Sequence, residues 1–269
     1  MGDLDFLSFR ADLSSPRIIA AYDELPLWSA MFGLLLLDEV PLSSVRNALD
    51  VGCGTGFPLI ELAERLGPAA EVHGVDIWTA GLQRCRKKIE ARATRNIHIH
   101  ETSAESMPFA NKAFDLIVSN LGVNNFENRD AAIRECRRVA RRGATIALTT
   151  NLQGHMREFY DLFRSVLKDD DDLTRLEEHI HHRATVPDVR ALLERNNFVV
   201  RRVVERESAM LFADGAALFN HHFIKLAFLD EWKKVVPGKE ELIFRKLLNR
   251  LTGEVRLTIP MAYLEGVAM

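Results

Sequence analysis

Three glycines at alternate positions, Gly52, Gly54 and Gly56, follow directly on a short apolar run that ends in a carboxylate, Asp50. A helical pattern begins immediately afterwards. The segment Ala48 to Pro58 (ALDVGCGTGFP) therefore reads as a buried strand, a tight turn containing Cys53, and a helix N-terminus. Glycine lets the backbone enter positive φ and lets a ligand lie against bare main chain. The first helical turn points unpaired N–H groups toward that ligand. The chemistry on offer is the binding of something small and polar. A phosphate loop would need a lysine after the last glycine, and none follows. A dinucleotide fingerprint would need glycine at the sixth place, where this chain has Phe57.

Further candidates come in order along the chain. Glu71 to Asp76 (EVHGVD) reads as a second strand ending in a carboxylate, followed by Ile77 and Trp78. Asn96 to His100 reads as a third strand, running into ETSAESMPF, which holds Ser103, Ala104 and Glu105. Ala113 to Phe126 (AFDLIVSNLGVNNF) reads as a fourth buried strand with Asn120 and Leu121 at its end, then Asn124, Asn125 and Phe126 in the loop beyond.

These four segments in this order resemble class I S-adenosylmethionine-dependent methyltransferases, within them the group that includes the ubiquinone and menaquinone synthesis enzymes. The resemblance runs from Tyr22 to Thr150. It implies that S-adenosylmethionine is the cofactor and S-adenosylhomocysteine the product. The cofactor would be held by Tyr22, Asp50, Gly52, Cys53, Gly54, Gly56, Asp76, Ile77, Ser103, Ala104, Glu105, Asn120 and Leu121. Asp76 would accept hydrogen bonds from the two ribose hydroxyls; an Asp ahead of a helix can also be its N-cap, but position and order favour the ribose role. Ser103 stands where the group often has Asp, so Glu105 or a backbone carbonyl would have to meet the adenine amino group. Tyr22, on an N-terminal helix, would touch the methionine carboxylate.

The resemblance places the acceptor near Asn124, Asn125 and Phe126, with Asn151 just after the fifth strand and Trp28 as a further contact. Two adjacent amides can hold a hydroxyl or carboxyl group, or can serve simply as loop caps. His155 is the candidate general base. The loop SNLGVNNF has no prolines, unlike the Asn/Asp-Pro-Pro-aromatic sequence of amino-methylating enzymes. An oxygen or carbon acceptor on a small molecule is therefore expected. Two alternatives stay open: a carboxyl O-methyltransferase acting on a carrier-protein-bound acyl group, for which Arg134, Arg137, Arg138, Arg141 and Arg142 could form a docking rim, and a non-catalytic protein that binds the cofactor.

The elements that must position these residues are an alternation of strands near 47–51, 71–76, 96–100, 114–119 and 144–150 with helices near 57–66, 79–93 and 129–141. Such alternation, with mostly apolar strands, implies a parallel sheet covered on both faces. The expected class is α/β, a Rossmann-like doubly wound sheet, mostly parallel with a closing antiparallel strand, plus N-terminal helices and a C-terminal helical insertion. Residues 1–45 would form a helical cap, 46–150 the cofactor-binding core, and 151–269 the substrate-side helices and last two strands. The sixth strand (Phe198 to Val204) and the last (Gly253 to Gly266) resemble the C-terminal layout of carrier-protein carboxyl O-methyltransferases of biotin synthesis.

Composition agrees. The chain has 269 residues, 47% hydrophobic and 27% charged, enough for a full core, and a net charge of −3 argues against binding by phosphate neutralisation. No nucleic acid or membrane partner is expected: the apolar run Ala30 to Leu37 is too short to span a bilayer, and MGDLDFLSFR lacks a signal-peptide core. A cytoplasmic location follows as the expectation. No metal is expected. Cys53, Cys85 and Cys136 show no ligand spacing, and His179, His181, His182, His221 and His222 read as solvated surface histidines with no carboxylate or cysteine completing a set. The acidic run Asp169 to Asp172 reads as an exposed loop.

Overall fold

The computed structural model describes residues 4–24 and 28–269. In chain order its elements are α1 (Pro16–Glu24), α2 (Ser29–Glu39), β1 (Asn47–Val51), α3 (Leu59–Leu66), β2 (Glu71–Asp76), α4 (Thr79–Arg92), β3 (Ile97–Glu101), β4 (Phe114–Asn120), α5 (Arg129–Val139) and β5 (Ala140–Asn151). There follow α6 (Arg157–Val166), α7 (Asp170–His181), α8 (Val186–Arg195), β6 (Phe198–Phe212), α9 (Gly215–Asn220), α10 (His222–Ala227), α11 (Leu229–Val235), α12 (Glu240–Arg250) and β7 (Val255–Ala268).

The strands form one seven-stranded sheet in the order β3-β2-β1-β4-β5-β7-β6. β1 pairs in parallel with β2 and β4, β2 with β3 and β4 with β5, while β7 pairs antiparallel with β5. This is the expected doubly wound, Rossmann-like sheet with an antiparallel closing strand. The central strands are mostly apolar because both faces are covered: Ala48, Leu49, Val51, Leu116, Ile117 and Val118 are wholly buried. Strand order reverses between β1 and β4, and ligands of such sheets bind beyond the carboxyl ends at that point.

The chain divides into two compact units. One holds residues 13–151, 184–206 and 261–269, and so the strand ends and turns that carry the cofactor motifs. The other holds residues 1–12, 152–183 and 207–260. Its core is aromatic: Phe6, Phe159, Tyr160, Phe163, Phe219, Phe244 and Trp232 are at most 2% exposed, with Phe159 and Trp232 rings 4.3 Å apart.

Three expectations are corrected here. The acidic run is no loop. Asp169 caps α7 through the N–H groups of Asp171 and Asp172, the next three aspartates fill its first turn, and Asp172 is buried between Lys239 and Arg175. His181 and His182 are exposed as expected, but His179 is packed, its Nε2 3.0 Å from the Tyr160 hydroxyl. The sixth strand extends to Phe212 rather than ending at Val204.

Candidate active site

The glycine turn leaves β1 with Gly52 at φ +83° and Gly54 at φ +50°. Gly52 is required by a close approach as well as by its φ. A Cβ there would lie 3.2 Å from the Cα of Gly122, and a Cβ on Gly122 would lie 2.4 Å from Ser119 Oγ and 2.7 Å from the carbonyl of Val51. Two backbones thus meet at the switch point. Gly122 is a site residue that sequence reasoning missed, although a glycine just after the fourth strand was a visible signal. Around Gly54 the space is open, with no atom within 4 Å of a Cβ placed there. Gly56 differs: a Cβ would sit 2.7 Å from Cys85 Sγ, so this glycine packs the turn onto α4. Phe57 is explained in the same way, since its ring fills the space above Gly33 of α2.

Asp76, at the end of β2, does more than its position suggested. One oxygen accepts from the N–H of Gly54 at 2.8 Å, the other from the N–H of Trp78 at 2.8 Å. It therefore holds the glycine turn in shape, and each oxygen keeps a second lone pair. Ile77 beside it is 72% exposed. Tyr22 lies close by. Its ring meets Trp78 edge-on at 5.6 Å, and burial, then the charges of Asp76 and Asp23, raise its pKa. α1 is fixed there because Asp23, neighbour of Tyr22, pairs with Arg84 at 2.8 Å and Lys88 at 2.6 Å on α4.

Asp50 lies under the turn, 0% exposed, so a ligand on the turn would not touch it. Neither oxygen accepts a hydrogen bond of good geometry. Burial first, then the Asp76 charge, push its pKa up to about 8 against a weaker pull from the backbone N–H of Leu59. Cys53 is also buried, and its thiol is pushed well above its usual range by that burial, which makes it inert.

Beyond β3, Ser103 donates to Glu105, and Glu105 accepts from the N–H of Asn128 at 3.2 Å, with Ala104 nearly buried between them. At the end of β4, Asn120 donates to the Ser29 carbonyl at 3.1 Å and accepts from Thr149 Oγ1 at 2.7 Å. Leu121 adopts φ +64°, which turns the chain toward Gly122.

The acceptor candidates separate. Asn124 and Asn151 come together, Asn124 Nδ2 donating to Asn151 Oδ1 at 2.7 Å, and Thr150 Oγ1 donates to Asn124 Oδ1 at 2.6 Å. Phe126 packs against Gly52 and Gly122, whereas Asn125 is exposed. Trp28 is 9% exposed and packs on Phe32, ring centroids 5.5 Å apart. His155 belongs to the other compact unit and is 2% exposed. Its Nε2 accepts from Arg183 at 3.3 Å, and burial, then the charges of Arg183 and His179, push its pKa down to about 3. That makes it a poor base.

The arginines considered as a docking rim are mostly engaged within the fold. Arg138 bonds Glu135 and the carbonyls of Met107 and Phe109, Arg134 pairs with Asp130, Arg141 with Asp115, and Arg137 bonds the Met269 carbonyl.

Open backbone beside Gly54, with Asp76 and an exposed Ile77, lies at the topological switch point of the sheet, where ligands of such sheets bind. The sequence profile of a methyltransferase domain matches residues 42–209, and the chain belongs to that family. A demethylmenaquinone methyltransferase of Geobacillus kaustophilus is 32% identical over 126 residues, 45% of this chain and 54% of that protein. Aklanonic acid methyltransferase DauC of a Streptomyces species is 30% identical over 132 residues, 49% of this chain and 60% of that protein. The chain thus spans little more than half the length of these curated relatives. A solved structure from Bacillus halodurans, assigned to the methyltransferases, shares the fold with a TM-score of 0.59 at 18% identity, over 87% of this chain and 97% of that one.

Proposed function

We propose that this protein transfers a methyl group from S-adenosylmethionine to an oxygen or carbon of a small-molecule acceptor. The observation that carries the cofactor half is the open backbone at Gly54 held by Asp76. The residues fit the group. Asp76 keeps lone pairs for two ribose hydroxyls, Ile77 offers an apolar face to the adenine, and Ser103, Ala104 and Glu105 border its edge. Gly52, Gly54 and Leu121 would line the amino-acid part, and the Tyr22 hydroxyl would meet its carboxylate. Asp50 is a buried carboxyl without good hydrogen bonds, and a cationic ligand above it would satisfy it.

When bound, S-adenosylmethionine supplies an electrophilic methyl on a sulfonium. The chain's own residues then have to align an acceptor and exclude water. Asn124 and Asn151 hold an acceptor oxygen, and Phe126 closes the apolar side. His155, with Nε2 engaged by Arg183, is assigned no proton transfer; an acceptor that arrives ionised needs no base. The engaged arginines of α5 and β5 disfavour docking of a carrier protein there.

The test is calorimetric titration with S-adenosylmethionine and, separately, S-adenosylhomocysteine. Micromolar binding is expected. Binding of neither would overturn the cofactor assignment.

A further inference from the structure

Resting on that reading of the acceptor side, the inference concerns what kind of molecule enters it. Asn151 ends β5 at 2% exposure. Its Oδ1 is used by Asn124, and the Asn124 amide is itself fixed by Thr150. The Nδ2 group of Asn151 makes no hydrogen bond to any described residue. That leaves an amide donor at the end of β5 free to meet a ligand that supplies an acceptor.

A second observation points the same way. Arg129 occupies the first position of α5, where the helix presents its positive end and a cation is unfavourable. It is half-buried, and its Nη2 reaches the Asn124 carbonyl at 3.4 Å. Among the described residues no carboxylate lies within ion-pair distance of it. Asp188, which feels its charge, is held in a capping box by Thr185. The acid of the first helical turn, Asp130, is paired with Arg195 and Arg134. Asn124 is thus touched at its backbone carbonyl by the Arg129 guanidinium and at its side-chain amide by Asn151 Oδ1, the other atom of that Asn151 amide being the unused Nδ2 donor. A cation against the helix dipole and an unused N–H donor, carried by two residues that both bond Asn124, suit an anionic oxygen.

We propose that the acceptor carries a carboxylate, its charge held by Arg129 and one oxygen held by Asn151 Nδ2. The probes are 2-naphthoate and its neutral isostere 2-naphthamide, titrated calorimetrically into protein saturated with S-adenosylhomocysteine. Naphthoate is expected to bind about tenfold tighter or better. The preference should fall to about twofold or less in Arg129→Gln, with S-adenosylhomocysteine affinity held within about twofold. Asn151→Asp, similar in volume but with a charge in place of the donor, should lose naphthoate and keep naphthamide. Thermal melting checks that both variants fold.

No preference in the natural chain, no binding of either probe at millimolar concentration, or a preference that survives Arg129→Gln would each overturn the inference. So would loss of S-adenosylhomocysteine binding in Arg129→Gln, which would give Arg129 to the cofactor's own carboxylate. If the natural chain does not bind S-adenosylhomocysteine at all, it is the cofactor reading that fails.

Discussion

Two carboxylates close together at the switch point have opposite fates. Asp76 has an N–H donor on each oxygen; Asp50 has no good donor, is wholly buried, and holds its proton to about pH 8. A carboxyl whose folded pKa exceeds its unfolded value stabilises fully at low pH, and that contribution is lost as pH rises from the unfolded value through the folded one. Asp50→Asn should therefore raise the melting temperature relative to the natural chain at pH 9 and change it little at pH 5. A variant equally destabilised at both would show that the shape of the acid, not its charge, is what matters. Asp76→Ala removes the clamp on Gly54 along with the proposed ribose acceptor. Cofactor affinity should fall by about 1–3 kcal/mol per lost bond, and unchanged calorimetric affinity would contradict the ribose assignment. Both residues were legible as carboxylates at strand ends. The bond from Asp76 to Gly54 was not, because it joins positions that only the β1–β2 register brings together.

Helices and turns carry the next level of consequence. α1 is tied to α4 by Asp23 with Arg84 and Lys88, and this tie holds Tyr22 beside Asp76. Asp23→Ala should speed amide exchange across residues 16–24 and weaken S-adenosylhomocysteine binding; exchange as slow as in the natural chain would mean that apolar packing alone holds α1. The loop after β4 is constrained by contact between backbones. Gly122→Ala would push a methyl into Ser119 Oγ and the Val51 carbonyl and should cost about 1–3 kcal/mol in denaturant unfolding. The type and order of these elements could be read from periodicity, since apolar spacing and glycine or proline punctuation are local properties. The acidic run was misread because charge was weighed before capping. Asp169 ahead of a periodic segment is a helix-start signal, and the negative first turn suits the helix dipole. What sequence could not supply was Lys239, from beyond α11, which neutralises the buried Asp172.

At the scale of the molecule, histidines set the acid limit. His73 is stacked on His98, with His100 Nε2 3.0 Å from its Nδ1 and Phe109 and Phe114 edge-on around it; burial first, then its two histidine neighbours, push its pKa down to about 4. His179 falls to about 4 and His155 to about 3, each mainly through burial. Groups kept neutral in this way stabilise above their unfolded value near 6.5, and the contribution is lost as pH falls toward those folded values. Stability should decline from about pH 6.5 toward pH 4. With Asp50 acting in the opposite sense, the melting temperature should peak near neutrality. Replacing His73 with Phe should flatten the acid limb, and an unaltered limb would remove the stack from the account.

The sequence by itself determined the alternating strands and helices, the glycine turn, the carboxylates at the ends of β1 and β2, and the asparagines beyond β4 and β5. These follow from side-chain period and turn chemistry, which act over a few residues. Only the tertiary structure decided which residues meet: Phe57 on Gly33, Gly52 against Gly122, Asn124 with Asn151, His155 with Arg183, and the stacked His73, His98 and His100. Partners far apart in the chain are chosen by strand register, crossover and close packing, and no local pattern encodes them.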